Sequence, residues 1–144
     1  MSEESTTNTK HFSPHASLAV IGLKLQELKL FDSISQTVNI PQKVVKHRPA
    51  EKLYDAFITI LAGARGLNES GTRLRSDEAL QRAFGRSTCA EYSVIQDTLD
   101  ACTPENISEM KRVVATIFQQ QAQAAHHDYD SALQMLDIDM SGLR

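Results

Sequence analysis

Residues 133–143 (Leu-Gln-Met-Leu-Asp-Ile-Asp-Met-Ser-Gly-Leu) alternate at a period of two, in a sequence whose other apolar residues recur at threes and fours. Leu136, Ile138 and Met140 fall on one face of the strand this predicts, and Asp137 and Asp139 on the other. A strand satisfies its backbone only against another strand, and the rest of the sequence reads as helix. The chain is therefore expected to end where a sheet should begin. Two readings of the acids stand side by side. On a half-solvated strand they meet water. Buried, they would each be strongly destabilising unless paired or bound to a metal. An unpaired apolar strand is also an aggregation site, so poor solubility is expected unless residues 131–144 fold back on the helices or pair with another chain.

Upstream, residues 1–14 lack apolar periodicity and are expected to form a mobile tail. Leu18, Ile21, Leu25 and Leu28 then mark an amphipathic helix, widened by Val20 and Leu23 and capped by Ser17 or by Ser13 with Pro14. Ser33 and Gln36 have capping-box spacing for a short helix over 33–38. Ile40 before Pro41 should be extended. Pro49 opens a helix carrying Leu53, Tyr54, Phe57, Ile58, Ile60, Leu61 and Ala64, expected to be the central core helix and to stop at Gly66. Residues 68–71 read as a turn. Ser76 caps a short helix with Leu80, Ala83 and Phe84 buried and Gly85 at its end. The next helix starts at Thr88 with Glu91, or at Ser93, and buries Tyr92, Ile95, Leu99 and Cys102. Thr103-Pro104-Glu105 is the strongest helix start in the chain. In the helix it opens, Ile107, Met110, Val114, Ile117 and Gln121 follow one face with Val113 and Phe118 beside it. Gln119, Gln120, Gln121 and Gln123 are expected to face water, and the helix to run to about His127. The expected architecture is mainly α, with a helical domain over 15–129 and one strand over 130–144.

The 144 residues make one domain's worth, and 41% of them are apolar, enough for a core. The net charge of -3 argues against a purely electrostatic nucleic-acid binder. Between Gln42 and Arg86, however, nine lysines and arginines stand against five acids. Cys89 and Cys102 form no CxxC pair and have no histidine at ligand spacing. They read as core filler in a reducing, cytoplasmic compartment. No apolar run is long enough to span a membrane, and the polar, acidic start is unlike a signal peptide.

Helix 76–84, its turn and the following helix have helix-turn-helix proportions, with Arg73, Arg75, Arg82 and Arg86 clustered around the first. In a DNA-binding reading these arginines contact phosphates, together with Lys43, Lys46 and Arg48 of the basic connector before Pro49. In the other reading they are solvated charges on two packed helices. Glu91, Gln96 and Asp97 on the second helix suit a phosphate-lined groove poorly. His126, His127, Asp128 and Asp130 read as a polar helix end, because adjacent histidines on a helix diverge by about 100°. No Walker loop, GxGxxG or Ser/His/Asp order is present.

Leu136-Asp137-Ile138-Asp139-Met140-Ser141-Gly142-Leu143 resembles the opening strand of the catalytic domain in DDE transposases of bacterial insertion sequences. There a helical N-terminal region leads into a ribonuclease-H-like domain, and a D-x-D-x-T/S strand carries the first catalytic aspartate. Residues 84–99, and 73–84 before them, are similar to two helical segments of that family, so the resemblance covers about 15–143. It implies that Asp139 is the first catalytic carboxylate and first metal ligand, with Asp137 the alternative and Ser141 at the Thr/Ser position. In that chemistry further carboxylates complete a pair of Mg²⁺ sites for in-line phosphoryl displacement. The second aspartate and the glutamate are not in this sequence. The chain is thus expected to be the N-terminal piece of a transposase, inactive alone and holding no Mg²⁺. DNA at terminal inverted repeats, a second copy or a full-length transposase are its implied partners, with no membrane. The competing reading is a non-enzymatic helical regulatory or interaction protein.

Overall fold

The computed structural model of the chain describes residues 12–43, 46–128 and 130. These are mainly helical, with no strand among the described residues. The 133–143 stretch, with Asp137 and Asp139, lies outside them.

Six α-helices follow in order: α1 (Ala16–Glu27), α2 (Leu30–Thr37), α3 (Pro49–Leu61), α4 (Glu78–Ala83), α5 (Tyr92–Asp100) and α6 (Pro104–Gln121). A 3₁₀ turn (Leu67–Glu69) and a π-helical turn (Gly71–Arg75) join α3 to α4, and a second 3₁₀ turn (Gln123–His126) follows α6. Local chemistry sets several boundaries as expected. Pro49 begins α3, and the Glu51 carboxylate accepts the Arg48 N–H at 2.6 Å. Thr103 caps α6, its Oγ1 accepting from Asn106 N at 3.3 Å while Asn106 Oδ1 accepts from Thr103 N at 3.1 Å. Gly85, at φ +72°, ends α4.

Other boundaries are corrected. α3 stops at Gly63 (φ +83°), not Gly66. α4 is capped by Asp77, whose Oδ1 accepts from Leu80 N at 2.8 Å, while Ser76 donates to Thr72 O. Ser13, inside the expected tail, donates to Asp77 Oδ2 at 2.6 Å and so ties the approach to α1 onto α4. α2 starts at Leu30, ahead of Ser33, because Lys29 turns the chain at φ +51°. Lys29 is the only non-glycine residue at positive φ among those described. That conformation costs about 1–2 kcal/mol for a residue with a Cβ. α6 ends at Gln121, short of His127. α5 starts at Tyr92, between the two expected starts.

The core lies around α3. On one side Ile58 and Ala62 pack with Leu74, Leu80, Phe84 and Cys89. On another, Leu53 joins Ile34, Ile40 and Val113, with Cys102 at the edge. On the third, Ala56 meets Ala90 and Ile95. The cysteines are thus packing residues. α1 lies on α4 through Gly22, where a Cβ would stand 2.6 Å from the Phe84 ring and 2.9 Å from Ala83 O.

The buried faces differ from the apolar stripes. α3 turns Asp55 and Thr59 fully inward and leaves Ile60 62% exposed, with Phe57 and Leu61 outward too. α5 buries Ile95 and Thr98 but exposes Tyr92 and Leu99. α6 buries Asn106 and Val113, half-buries Met110 and Ile117, and exposes Ile107, Val114 and Phe118. α1 buries Gly22 and half-buries Leu18 and Leu25, while Val20, Ile21, Leu23 and Leu28 face out. Each helix carries more apolar surface than one core absorbs, and polar partnerships across the chain decide which side turns in.

Candidate functional site

Asp55, fully buried at the middle of α3, is the centre of the polar interior. An isolated carboxylate there would be costly, so every approach to it is a donor. Arg86 Nε meets Oδ1 at 2.8 Å and its Nη2 meets Oδ2 at 3.2 Å, a two-bond clasp. Ala90 N donates to Oδ2 at 2.7 Å. The glycine turn at Gly85 aims Arg86 back at α3. One helical turn before Asp55, on the same face, Glu51 Oε1 accepts from Arg86 Nη1 at 3.1 Å. His47, also buried, sets its Nδ1 3.3 Å from Arg86 Nη2. Since a guanidinium only donates, Nδ1 is the acceptor and the proton of the neutral ring sits on Nε2.

The charges follow this geometry. Burial works against the Arg86 cation, but the hydrogen bonds and charges of Asp55 and Glu51 outweigh it and raise its pKa. Burial would raise Glu51, yet the Arg48 N–H and the Arg86 charge hold it below the ordinary carboxylate range. Burial pushes the Tyr54 hydroxyl up to about 12. The Cys89 thiol is raised by burial and then by the Asp55 charge, which makes it a poor nucleophile.

His47 is lowered, first by burial and then by the Arg86 charge. A base whose folded pKa lies below its unfolded value stabilises the fold fully above the unfolded pKa and loses that contribution as pH falls towards the folded one. Denaturant midpoints are therefore expected to decline as pH drops below about 6.5, the free-histidine value. His47→Asn is expected to remove that first decline. Glu51 and Asp77, both held low, contribute above the free-carboxylate pKa, and that contribution is lost as pH falls further, through their folded values. A wild-type midpoint flat from pH 7 to 5 would contradict the His47 geometry.

Beside this hub a cleft of about 610 Å³ opens between the ends of α1 and α4, helix α2, the extended stretch 38–42 and the start of α3. Leu25, Phe31, Tyr54 and Phe84 supply its apolar wall. Lys29, Arg48 and Arg86 bring positive charge to it.

The cations singled out in the sequence separate into distinct places. Arg86 is the interior hub, its side chain 11% exposed and engaged with Asp55 and Glu51. Arg48 stands at the cleft, and Lys43 is exposed on the connector. Lys46, Arg75 and Arg82 come together from the connector, the π-helical turn and α4 around a shallow depression of about 290 Å³ that includes Ser87 and Thr88. Arg73 pairs with Glu69 at 3.2 Å, Arg75 with Glu91 at 3.3 Å and Arg82 with Glu78 at 3.8 Å. Exposed pairs of this kind are worth only about 0–1 kcal/mol and yield to a stronger anion. The helix-turn-helix proportions are not those of the structure. α4 packs chiefly on α1, α5 packs chiefly on α3, and residues 84–91 separate them.

Among the described residues no group of three or more His, Cys, Asp or Glu side chains is placed to hold a metal ion. The acids that do lie together, Glu51 and Asp55, are engaged with Arg86 and backbone N–H groups and do not fit a Mg²⁺ site. Asp139 lies outside the described residues. His126 and His127 are exposed after α6. No helix among the described residues is long and apolar enough to cross a membrane.

Asp55, Glu51 and His47 were absent from the sequence-based candidates. One signal pointed to them: Asp55 interrupts the most apolar helix of the chain between Tyr54 and Ala56. No family model, curated protein or solved structure matches this chain.

Proposed function

We propose that the chain corresponds to the helical N-terminal region of a DDE transposase of bacterial insertion sequences and contacts the element's DNA ends through the depression formed by Lys46, Arg75 and Arg82. The observation that carries this reading is the convergence of those three cations from three separate segments, with the Ser87 and Thr88 hydroxyls of the following loop beside them and Glu78 the one acid in the lining. Ammonium, guanidinium and hydroxyl donors around a shallow hollow suit phosphodiester oxygens, which position a protein on a duplex. The acids on the exposed side of α5 disfavour that helix as the groove reader, so phosphate contact falls to the depression. On this reading the 133–143 strand opens a ribonuclease-H-like fold with Asp139 as its first carboxylate. Mg²⁺ and strand transfer belong to the complete catalytic domain.

The test is a binding titration of the whole chain against the element's terminal repeats and against random duplex at matched salt. Ends are expected to bind at least tenfold tighter. Neutralising Lys46, Arg75 and Arg82 to Gln is expected to weaken binding and to reduce the salt slope by about one for each phosphate left without its cation. Equal affinity for both duplexes would refute end recognition.

The outward apolar residues Ile60, Ile107, Val114 and Phe118 favour a second reading, a helical association module that binds protein rather than DNA. The net charge of -3 agrees with it. Association that depends on these residues, with no DNA affinity at low salt, would support it.

A further inference from the structure

We propose that the cleft beside the Arg86 hub binds a small amphipathic anion, an apolar body carrying one anionic head group. Its volume of about 610 Å³ falls within the range that takes small organic ligands. Its wall is mixed in the way such sites are, with Leu25, Phe31 and Phe84 set against the polar side chains of Asn39 and Gln42.

Charge selects the class of ligand. Three cations, Lys29, Arg48 and Arg86, face two acids, Asp32 and Glu51. The Glu51 carboxylate is already taken, one oxygen by the Arg48 N–H at 2.6 Å and the other by Arg86 at 3.1 Å. Arg86 is likewise committed to Asp55 and Glu51. The Arg48 side chain is 76% exposed and touches Glu51 only at 4.0 Å, so its guanidinium remains available to a ligand. Lys29, at the α1–α2 junction, lines the same cleft. There the backbone adopts φ +51°, where glycine is favoured and lysine is strained. A long cationic side chain at a glycine-type position contributes nothing to the turn itself. Lys29 is exposed and part of the cleft lining, so it adds its positive charge to the site.

The probe is anilinonaphthalene sulfonate, an aromatic anion that fluoresces when taken out of water, titrated into the whole chain alongside uncharged phenylnaphthylamine. Saturable one-to-one binding of the anion is expected, at least fivefold tighter than the neutral probe. Arg48→Gln is expected to weaken it at least fivefold. Lys29→Gly is expected to weaken it similarly while raising the thermal midpoint, because it relieves the turn. Ser35→Trp, which fills the cleft from α2, is expected to abolish it. Two results would overturn the site. One is equal binding of the charged and neutral probes. The other is anion binding that survives Ser35→Trp and Arg48→Gln but falls with Ile60→Ser or Phe118→Ser, since the probe would then sit on the outward apolar faces.

Discussion

Replacing Asp55 with alanine is expected to cost about 3–5 kcal/mol of folding stability, because it leaves the Arg86 guanidinium buried without its main counter-charge. The carboxylate is fully buried and accepts three donors: two from Arg86 and the N–H of Ala90. Removing it orphans all three. A domain of this size is typically stable by about 5–15 kcal/mol, so the variant is expected to be marginal or partly unfolded. The opposite substitution, Arg86→Met, leaves Asp55 as the unpaired charge and is expected to be as damaging. The double variant Asp55→Leu/Arg86→Met removes both charges together and is expected to recover part of the loss, since a buried ion pair rarely outperforms well-packed apolar side chains. Urea denaturation of the three variants is the measurement. A loss below about 1 kcal/mol for Asp55→Ala, the level of an exposed ion pair, would mean that the pair is solvated and not the interior hub.

Phe84 carries the second large effect. Its ring is 1% exposed, lies under Gly22 and meets Tyr54 edge-on with centroids 6.1 Å apart. Phe84→Ala is expected to cost about 3–5 kcal/mol through lost burial and the cavity left behind. Gly22 gives this expectation a sharper form. Alone, Gly22→Ala drives a Cβ to 2.6 Å from the ring and 2.9 Å from Ala83 O. Overpacking of that kind costs about 1–3 kcal/mol, more than the roughly 1 kcal/mol that alanine gains over glycine in a helix. In the Phe84→Ala background the ring clash is gone while the 2.9 Å approach to Ala83 O remains, so Gly22→Ala is expected to cost clearly less than it does alone. A double-mutant cycle reads that difference directly. An equal cost in both backgrounds would mean that Gly22 does not meet the Phe84 ring.

The helix starts and stops that were legible in the sequence are those set by the nearest few residues. Pro49, Thr103 with Pro104, and Gly85 each act within one turn, and each stands where its chemistry predicts. The inward faces were not legible because their causes are distant. Asp55 turns inward because Arg86 and Ala90 are waiting 31 and 35 residues later. Thr98 turns inward because Gln42, 56 residues earlier, accepts its hydroxyl at 2.7 Å. Gln42 also takes the Lys52 ammonium at 2.9 Å, so a lysine that periodicity assigns to water lies almost wholly inside. An apolar tally ranks Ile60 and Phe118 above Asp55 and Thr59, and the interior reverses the order. The candidate site suffered in the same way. Arginine clustering groups Arg86 with Arg73, Arg75 and Arg82 as phosphate contacts, and its acidic partners Asp55 and Glu51, 31 and 35 residues earlier, are invisible to spacing. Lys46, Arg75 and Arg82 were all named, yet nothing in the sequence announced that they share one hollow while Arg73 and Arg48 stand elsewhere.

The clasp between α3 and the 86–90 loop also bears on how the protein is made. A ribosome delivers α3 well before Arg86 and Ala90, and during that interval the Asp55 carboxylate has no donor but water. Turning α3 inward then would strand a charge, so the helix has to wait with its polar side wet. The first helix waits too, since Phe84, the ring that receives Gly22, emerges at nearly the same moment as Arg86. The nascent chain is thus expected to stay open until about ninety residues have left the tunnel, with α1, α3 and α4 then closing together, which protease protection of ribosome-bound chains of increasing length would read.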